Sequence, residues 1–134
     1  MTVAVAHSDT EQGRAALRRA AAEADLRGES LAVLRIVPGP TDPHTEVAGI
    51  EEQVRALLAG HHPDLELTVH TAAEGHDTAG SLVDLATEID SSLLVIGSRR
   101  RSPVGKLLLG STVQRVLLDA PMAVLVVKAD APAT

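Results

Sequence analysis

The sequence predicts an α/β protein built on a single doubly wound, five-stranded parallel sheet. Short, continuous aliphatic runs recur along the chain. Such runs are typical of buried parallel strands, because helices cover both faces of their sheet. Segments with apolar residues at helical spacing separate these runs, and the turns between them are short. Strands and helices therefore alternate as βαβαβαβαβ without a linker or repeat, and we expect residues 1–134 to form one domain.

The first two predicted strands cover residues 3–6 and 31–37. Between them, Ser8 and Glu11 indicate a capping box, in which each side chain accepts a hydrogen bond from a backbone N–H at the helix start. Gly28 is the expected end of that helix, because glycine readily takes the left-handed conformation that closes helices. The inward stripe of the helix is predicted to consist of Leu17, Ala20, Ala21 and Ala24.

The next predicted helix covers residues 45–58, where apolar side chains recur at steps of three and four, and Gly60 follows its end. Residues 65–71 alternate between apolar and polar side chains, which is typical of an edge strand with one buried face. Either Asp77 or Thr78 is expected to cap the third helix.

The last βαβ unit carries the strongest indication of a ligand site. It consists of a strand at residues 93–96, a helix that begins at residues 110–111 and ends near Ala120, and a strand at residues 124–127. The loop before the helix therefore follows the carboxyl end of a strand. Ligands bind at that end in open α/β sheets.

The chemistry of this loop favours an anion. Gly97 indicates a sharp turn, since glycine alone takes positive φ at little cost. Gly110 and Ser111 lie at a helix start, where unpaired N–H groups attract phosphate, and Ser111 can cap the helix or donate its hydroxyl. The arginines at 99–101 and Lys106 add positive charge. The same residues are equally consistent with a plain connection that has a solvated, charged tip.

Composition excludes several function classes. The chain has no cysteine, which rules out disulfides, thiol catalysis and thiolate metal sites. Its formal net charge is −6 and it has no aromatic residues for bases to stack on, so nucleic-acid binding is not expected. The adjacent His61 and His62 diverge and do not indicate a metal site. No signal peptide or membrane-spanning run is evident, so we expect a cytoplasmic protein.

Several catalytic motifs are absent. Gly105 and Lys106 look like the end of a P-loop, but Arg100 and Leu107 occupy positions that require Gly and Ser or Thr. No dinucleotide-binding glycine pattern follows the first strand, and no G-x-S-x-G elbow is present. We therefore predict no catalytic residue and no metal ligand, and at most slow ATP turnover.

At residues 97–111 the chain resembles the universal stress protein family. The nucleotide-binding pattern of that family is Gly, two residues, Gly, nine residues, then Gly and Ser or Thr. Gly97, Gly110 and Ser111 match it, whereas Arg100 replaces the second Gly. Ala6 stands where members that bind ATP usually have Asp. The resemblance extends over nearly the whole chain.

This resemblance implies sheet order 3-2-1-4-5, of the flavodoxin or Rossmann-like type that binds adenine nucleotides, with ATP or AMP in a cleft between strands 1 and 4. Ile36 and Ile96 would flank the base, and the amides after Gly110 would hold phosphate. The implied site consists of Ile36, Ile96, Gly97, Arg99, Arg100, Gly110, Ser111, Thr112 and Val113.

The resemblance also implies a homodimer. Residues 123–127 form an aliphatic edge strand, and pairing with a two-fold mate satisfies its open backbone groups. A second interpretation stays open, in which the protein is a dimeric interaction or scaffold protein that keeps the fold and has lost nucleotide binding. Ala6 and Arg100 favour that alternative.

Overall fold

A computed structural model of the protein describes residues 1–38, 43–75, 77–98 and 109–129. Within those ranges strands and helices alternate strictly. In chain order they are β1 (Thr2–Ala6), α1 (Glu11–Arg27), β2 (Ser30–Val37), α2 (Pro43–Leu58), β3 (Leu67–Ala73), α3 (Thr78–Glu88), β4 (Leu93–Ser98), α4 (Ser111–Asp119) and β5 (Ala123–Lys128).

The five strands form one parallel sheet in the order β3-β2-β1-β4-β5. The predicted fold class and the strand order are both confirmed. The direction of winding reverses at β1, which pairs with β2 on one side and with β4 on the other. Such a reversal opens a crevice at the carboxyl ends of the two strands that flank it.

The core has two layers, one on each face of the sheet. The α1/α2 layer contains Val3 and Val5 of β1, and the α3/α4 layer contains Ala4 between them. This alternation follows from the two-residue period of a strand. The predicted inward stripe of α1 is confirmed, because all four of its side chains are fully buried: Leu17, Ala20, Ala21 and Ala24.

The predicted capping box of α1 is wrong. Thr10 is the N-cap, and its Oγ1 accepts a hydrogen bond from the Gly13 amide at 3.0 Å. Ser8 lies two residues earlier, with its hydroxyl 2.7 Å from that of Thr10. Since the helix begins at Glu11, this carboxylate is at the first helical position and not at the third. Gly28 closes the helix at φ 67°, as predicted.

Other element boundaries differ from the predictions by about one turn or less. α2 begins at Pro43 and not at residue 45, because proline's fixed φ suits the first turn of a helix. β3 begins at Leu67, since the Leu65 amide bonds to the His62 carbonyl in a preceding turn. β3 lies at the sheet edge, as predicted. Asp77 is the N-cap of α3, with Oδ1 2.9 Å from the Gly80 amide.

Candidate functional site

A cavity of about 310 Å³ lies at the carboxyl end of the sheet, where the winding reverses. The ends of β1, β2 and β4 form its floor, and the first turns of α1, α3 and α4 contribute to its walls. Among the described residues, no Asp, Glu, Lys or Arg side chain lines it. Its lining consists of Ala6, His7, Ser8, Gln12, Gly13, Ile36, Thr78, Leu82, Ile96, Gly97, Gly110, Ser111, Thr112 and Val113.

The structure brings most of the predicted site residues together in this cavity. The two isoleucines that were expected to flank a base belong to the α3/α4 layer, at the ends of β2 and β4. Arg99 and Arg100, which were expected to neutralise charge, lie outside the described residues, as does Lys106. The predicted residues that line the cavity are Ile36, Ile96, Gly97, Gly110, Ser111, Thr112 and Val113.

Gly97 does not form the predicted sharp turn. It is part of β4 and pairs with Val127. Gly28 and Gly60 are the glycines with positive φ in the described ranges. A Cβ on Gly97 would overlap the carbonyl oxygen of Gln12 and lie 2.7 Å from its carbonyl carbon. This glycine therefore allows the first turn of α1 to approach β4 closely.

Gly110 has a different environment. It is the N-cap of α4, with φ −64° and ψ 163°, a conformation open to any residue, and a Cβ there would have no heavy atom of the described residues within 4 Å. No described side chain caps this helix. Ser111 is the first helical residue, so its predicted capping role is wrong. The amide groups of α4's first turn therefore have no capping acceptor among the described residues, and the hydroxyls of Ser111 and Thr112 lie beside them in the cavity wall.

The other two helices that begin at the cavity are capped. Thr10 caps α1, and Asp77 caps α3. The Asp77 carboxylate also accepts a hydrogen bond from Arg115 at 3.1 Å. The Gly80 amide and the Arg115 guanidinium lower the pKa of Asp77. The start of α4 is therefore the position at this cavity where a helix dipole and unpaired N–H groups are available to an anion.

His7 is buried, with 4% of its surface exposed, and lies beside Arg35. The His7 Nδ1 is 3.2 Å from Arg35 Nη1. Arg35 Nη1 also donates a hydrogen bond to Gln53 Oε1 at 3.3 Å. A guanidinium only donates, so Nδ1 accepts and the proton lies on Nε2. Burial, and then the charge of Arg35, lower the pKa of His7 from 6.5 to about 4, against the opposing effect of Asp9.

The His7 side chain faces away from the apolar part of the cavity. Arg35 alternates along β2 with Ile36, and Ile36 packs in the α3/α4 layer together with Ala6. His7 therefore lies with Arg35 on the α1/α2 face, and its Nε2 has no hydrogen-bond partner among the described residues. Asp9 pairs with Arg14 at 3.0 Å and does not orient the imidazole.

Besides Ala6, His7 and Ser8 at the end of β1, the cavity includes four residues of α1 and α3 that the sequence prediction missed. Each parallel strand ends at the same edge of the sheet, so every following helix begins there. The prediction used this rule for α4 and for the residues that follow β1. Applied to α1 and α3, it would have found the additional lining residues Gln12, Gly13, Thr78 and Leu82.

Two features are absent from the described ranges. No group of three His, Cys, Asp or Glu residues is placed to hold a metal ion. No helix there has the length and apolar character needed to cross a membrane. The cytoplasmic location and the absence of catalysis remain predictions.

The fold and the cavity define a doubly wound α/β protein with a ligand-sized site at its topological switch point. The profile of the universal stress protein family matches residues 1–128. The chain belongs to the universal stress protein family, as the resemblance predicted.

Several relatives extend this comparison. A universal stress protein of Mycolicibacterium smegmatis is 37% identical over 128 residues, which cover 94% of this chain and 96% of the relative. The structure of a universal stress protein from Archaeoglobus fulgidus is 30% identical, with a TM-score of 0.73 and coverage of 95% and 97% of the two chains. A structure of the Archaeoglobus fulgidus universal stress protein in complex with dAMP is 25% identical, with a TM-score of 0.67 and coverage of 95% and 96%.

Proposed function

We propose that this protein is a regulatory stress-response module that binds an adenine nucleotide, AMP or ATP, in the cavity between β1 and β4. One observation carries the proposal. The uncapped start of α4 and an apolar wall share one cavity at the sheet's switch point. The dAMP complex of the Archaeoglobus fulgidus protein supports the choice of an adenine nucleotide.

The apolar wall suits a nucleobase. Ala6, Ile36 and Ile96 come from three adjacent strands, and Leu82 and Val113 from the helices that cover them. The sequence has no aromatic side chain, so a base must pack on aliphatic groups. Burial of such surface contributes roughly 25 cal/mol per Å² of apolar area removed from water.

The start of α4 suits the phosphate. Its unpaired amides and partial positive charge attract an anion, and the Ser111 and Thr112 hydroxyls add donors. In this proposal Gly110 keeps the backbone of the helix start accessible, Gly97 lines the cavity, and Arg99 and Arg100 neutralise charge on the ligand. The nine predicted residues are proposed as the nucleotide site within one domain at residues 1–134.

A second candidate is a scaffold that keeps the fold without the nucleotide. Ala6 lines the cavity where a carboxylate would face the ligand in ATP-binding members, and no other acidic side chain among the described residues replaces it. Under this alternative the cavity takes no nucleotide, and the protein acts through its surfaces.

Calorimetry distinguishes the two candidates. We expect the wild type to bind AMP, with weaker binding of adenosine because the nucleoside lacks the group that contacts α4. GMP serves as the control for the base, and inorganic phosphate as the control for the anion. Native mass spectrometry of freshly purified protein would identify any ligand retained from the cell. Absence of heat and of thermal stabilisation at millimolar AMP and ATP in folded protein would favour the scaffold.

We also propose a homodimer through β5. This strand pairs with β4 along one edge and lies at the end of the sheet, so its other backbone edge is open among the described residues. An open aliphatic edge favours pairing with a second strand. Val126→Asp, checked by circular dichroism for retained fold, is expected to sediment as a monomer while the wild type sediments as a dimer. A monomeric wild type at high concentration would contradict this proposal.

A further inference from the structure

Gln12 has a polar side chain without a hydrogen-bond partner among the described residues. It is the second residue of α1, it lines the cavity, and it is half-buried. Its carboxamide makes no hydrogen bond to another described residue, whereas the neighbouring Ser8 hydroxyl is bonded to Thr10. A carboxamide supplies two N–H donors and one acceptor oxygen, and no described residue bonds to any of them here.

Close packing against Gly97 fixes the position of the Gln12 backbone and Cβ. The carbonyl of Gln12 rests against Gly97, and its own Cβ lies 3.0 Å from the position that a Cβ on Gly97 would occupy. The backbone of Gln12 is therefore seated on the end of β4. Gln12 and Gly97 therefore adjoin each other in the cavity lining.

The start of α4 borders the same space from the opposite face of the sheet. α1 belongs to the α1/α2 layer, whereas Val113 and Val116 of α4 pack in the other layer. Gln12, Gly97 and Ser111 all line one cavity. Two members of the apolar wall, Ile36 and Leu82, belong to β2 and α3.

We propose that Gln12 is a specificity-determining residue whose carboxamide donates a hydrogen bond to the phosphate of the bound nucleotide, opposite the amides of α4. This inference rests on the proposed nucleotide site and adds a contact from α1. Gln12 would select for a phosphorylated ligand over the nucleoside, because it supplies a neutral donor at the phosphate end. A carboxylate at the same position would repel the phosphate.

The test compares AMP and adenosine in calorimetry on the wild type, Gln12→Ala and Gln12→Glu. We expect Gln12→Ala to weaken AMP binding about tenfold, the usual scale for a hydrogen bond to a charged group, and to leave adenosine binding unchanged. Gln12→Glu is expected to weaken AMP binding further. A carboxylate in the first turn stabilises a helix, so the melting temperature of this variant should be equal or higher. If Gln12→Glu binds AMP more weakly although it is at least as stable as the wild type, the loss of binding does not come from damage to the fold.

The matched control is Leu26→Glu, which adds the same charge at the far end of α1, on a side chain that is 83% exposed. It should bind AMP like the wild type. Unchanged AMP binding in both Gln12 variants would overturn the contact and leave the nucleotide site standing. Equal losses for AMP and adenosine would place Gln12 at the nucleoside and also overturn it. A wild type that binds neither ligand would overturn the nucleotide site, and the contact with it.

Discussion

Gly97 and Gly110 belong to one sequence motif and lie in opposite environments. Gly97 is inside a strand, and the carbonyl of Gln12 occupies the space that its side chain would need. Gly110 precedes a helix, has an ordinary extended backbone, and has no described residue where its side chain would be. The first glycine is required by the packing of the protein on itself. The second leaves a helix start open for something outside the chain.

The surroundings of the two glycines differ in the same way. The α1/α2 face near Gly97 is closely packed and includes the buried contact between His7 and Arg35. The α3/α4 face near Gly110 contributes the apolar cavity wall and the uncapped helix. Changes on the packed face should therefore alter folding stability first, and changes at the open helix start should alter ligand binding first.

The largest expected effect comes from Gly97→Ala. The added methyl group overlaps the Gln12 carbonyl, which is backbone and cannot rotate away, so α1 must shift. Overpacking of this kind typically costs 1–3 kcal/mol and sometimes more, and we expect about 3 kcal/mol of lost unfolding free energy. Urea denaturation followed by circular dichroism measures it.

The matched control for this change is Gly49→Ala on α2. It makes the same substitution where a Cβ has no neighbour within 4 Å. Alanine is favoured over glycine in a helix by about 1 kcal/mol, so this variant should gain stability. Equal stability of Gly97→Ala and the wild type would show that the contact with α1 is not tight and would remove the contrast between the glycines.

Acid should destabilise the packed face through His7. The pKa of His7 is about 4 in the folded protein and near 6.5 when unfolded, so the folded state binds fewer protons between these values. Its stabilising contribution is therefore complete above pH 6.5 and is lost as the pH falls toward 4. The pKa difference corresponds to roughly 3 kcal/mol. Unfolding free energies measured from pH 7 to pH 4 report this loss.

His7→Gln should be less stable than the wild type at pH 7 and should lose less stability on acidification. The control is His61→Gln, which removes a histidine from an exposed position and should leave the wild-type pH dependence intact. If His7→Gln and the wild type lose stability in parallel from pH 7 to pH 4, the acid sensitivity arises elsewhere.

Gly110→Asp should have the smallest effect on stability. The backbone suits an N-cap, there is room for the side chain, and an Asp cap exceeds glycine by a few tenths of a kcal/mol. The same carboxylate would occupy the α4 amides and repel phosphate, so AMP affinity should fall at least about tenfold. Gly75→Asp, an exposed position with free space, controls for the added charge. Undiminished AMP binding by Gly110→Asp would mean that α4 does not hold the phosphate.

The sequence alone determined the helices and strands. Together with the family resemblance, it also determined the order of the strands in the sheet. Aliphatic runs identified the strands, and helical spacing identified the alanine stripe of α1, because both patterns reflect local periodicity and one-sided burial. The position of Gly110 and Ser111 at a helix start was also readable, since a helix start depends on neighbouring residues.

Only the tertiary structure decided what those residues contact. Gly97 reads as a turn in the sequence, yet its role comes from Gln12, which is distant in the chain and reaches it through the packing of α1 on β4. His7 reads as an ordinary loop residue, and its low pKa depends on burial and on Arg35 in another strand. Local patterns specify backbone conformation, whereas burial, contacts and charge environment arise when separate elements pack together.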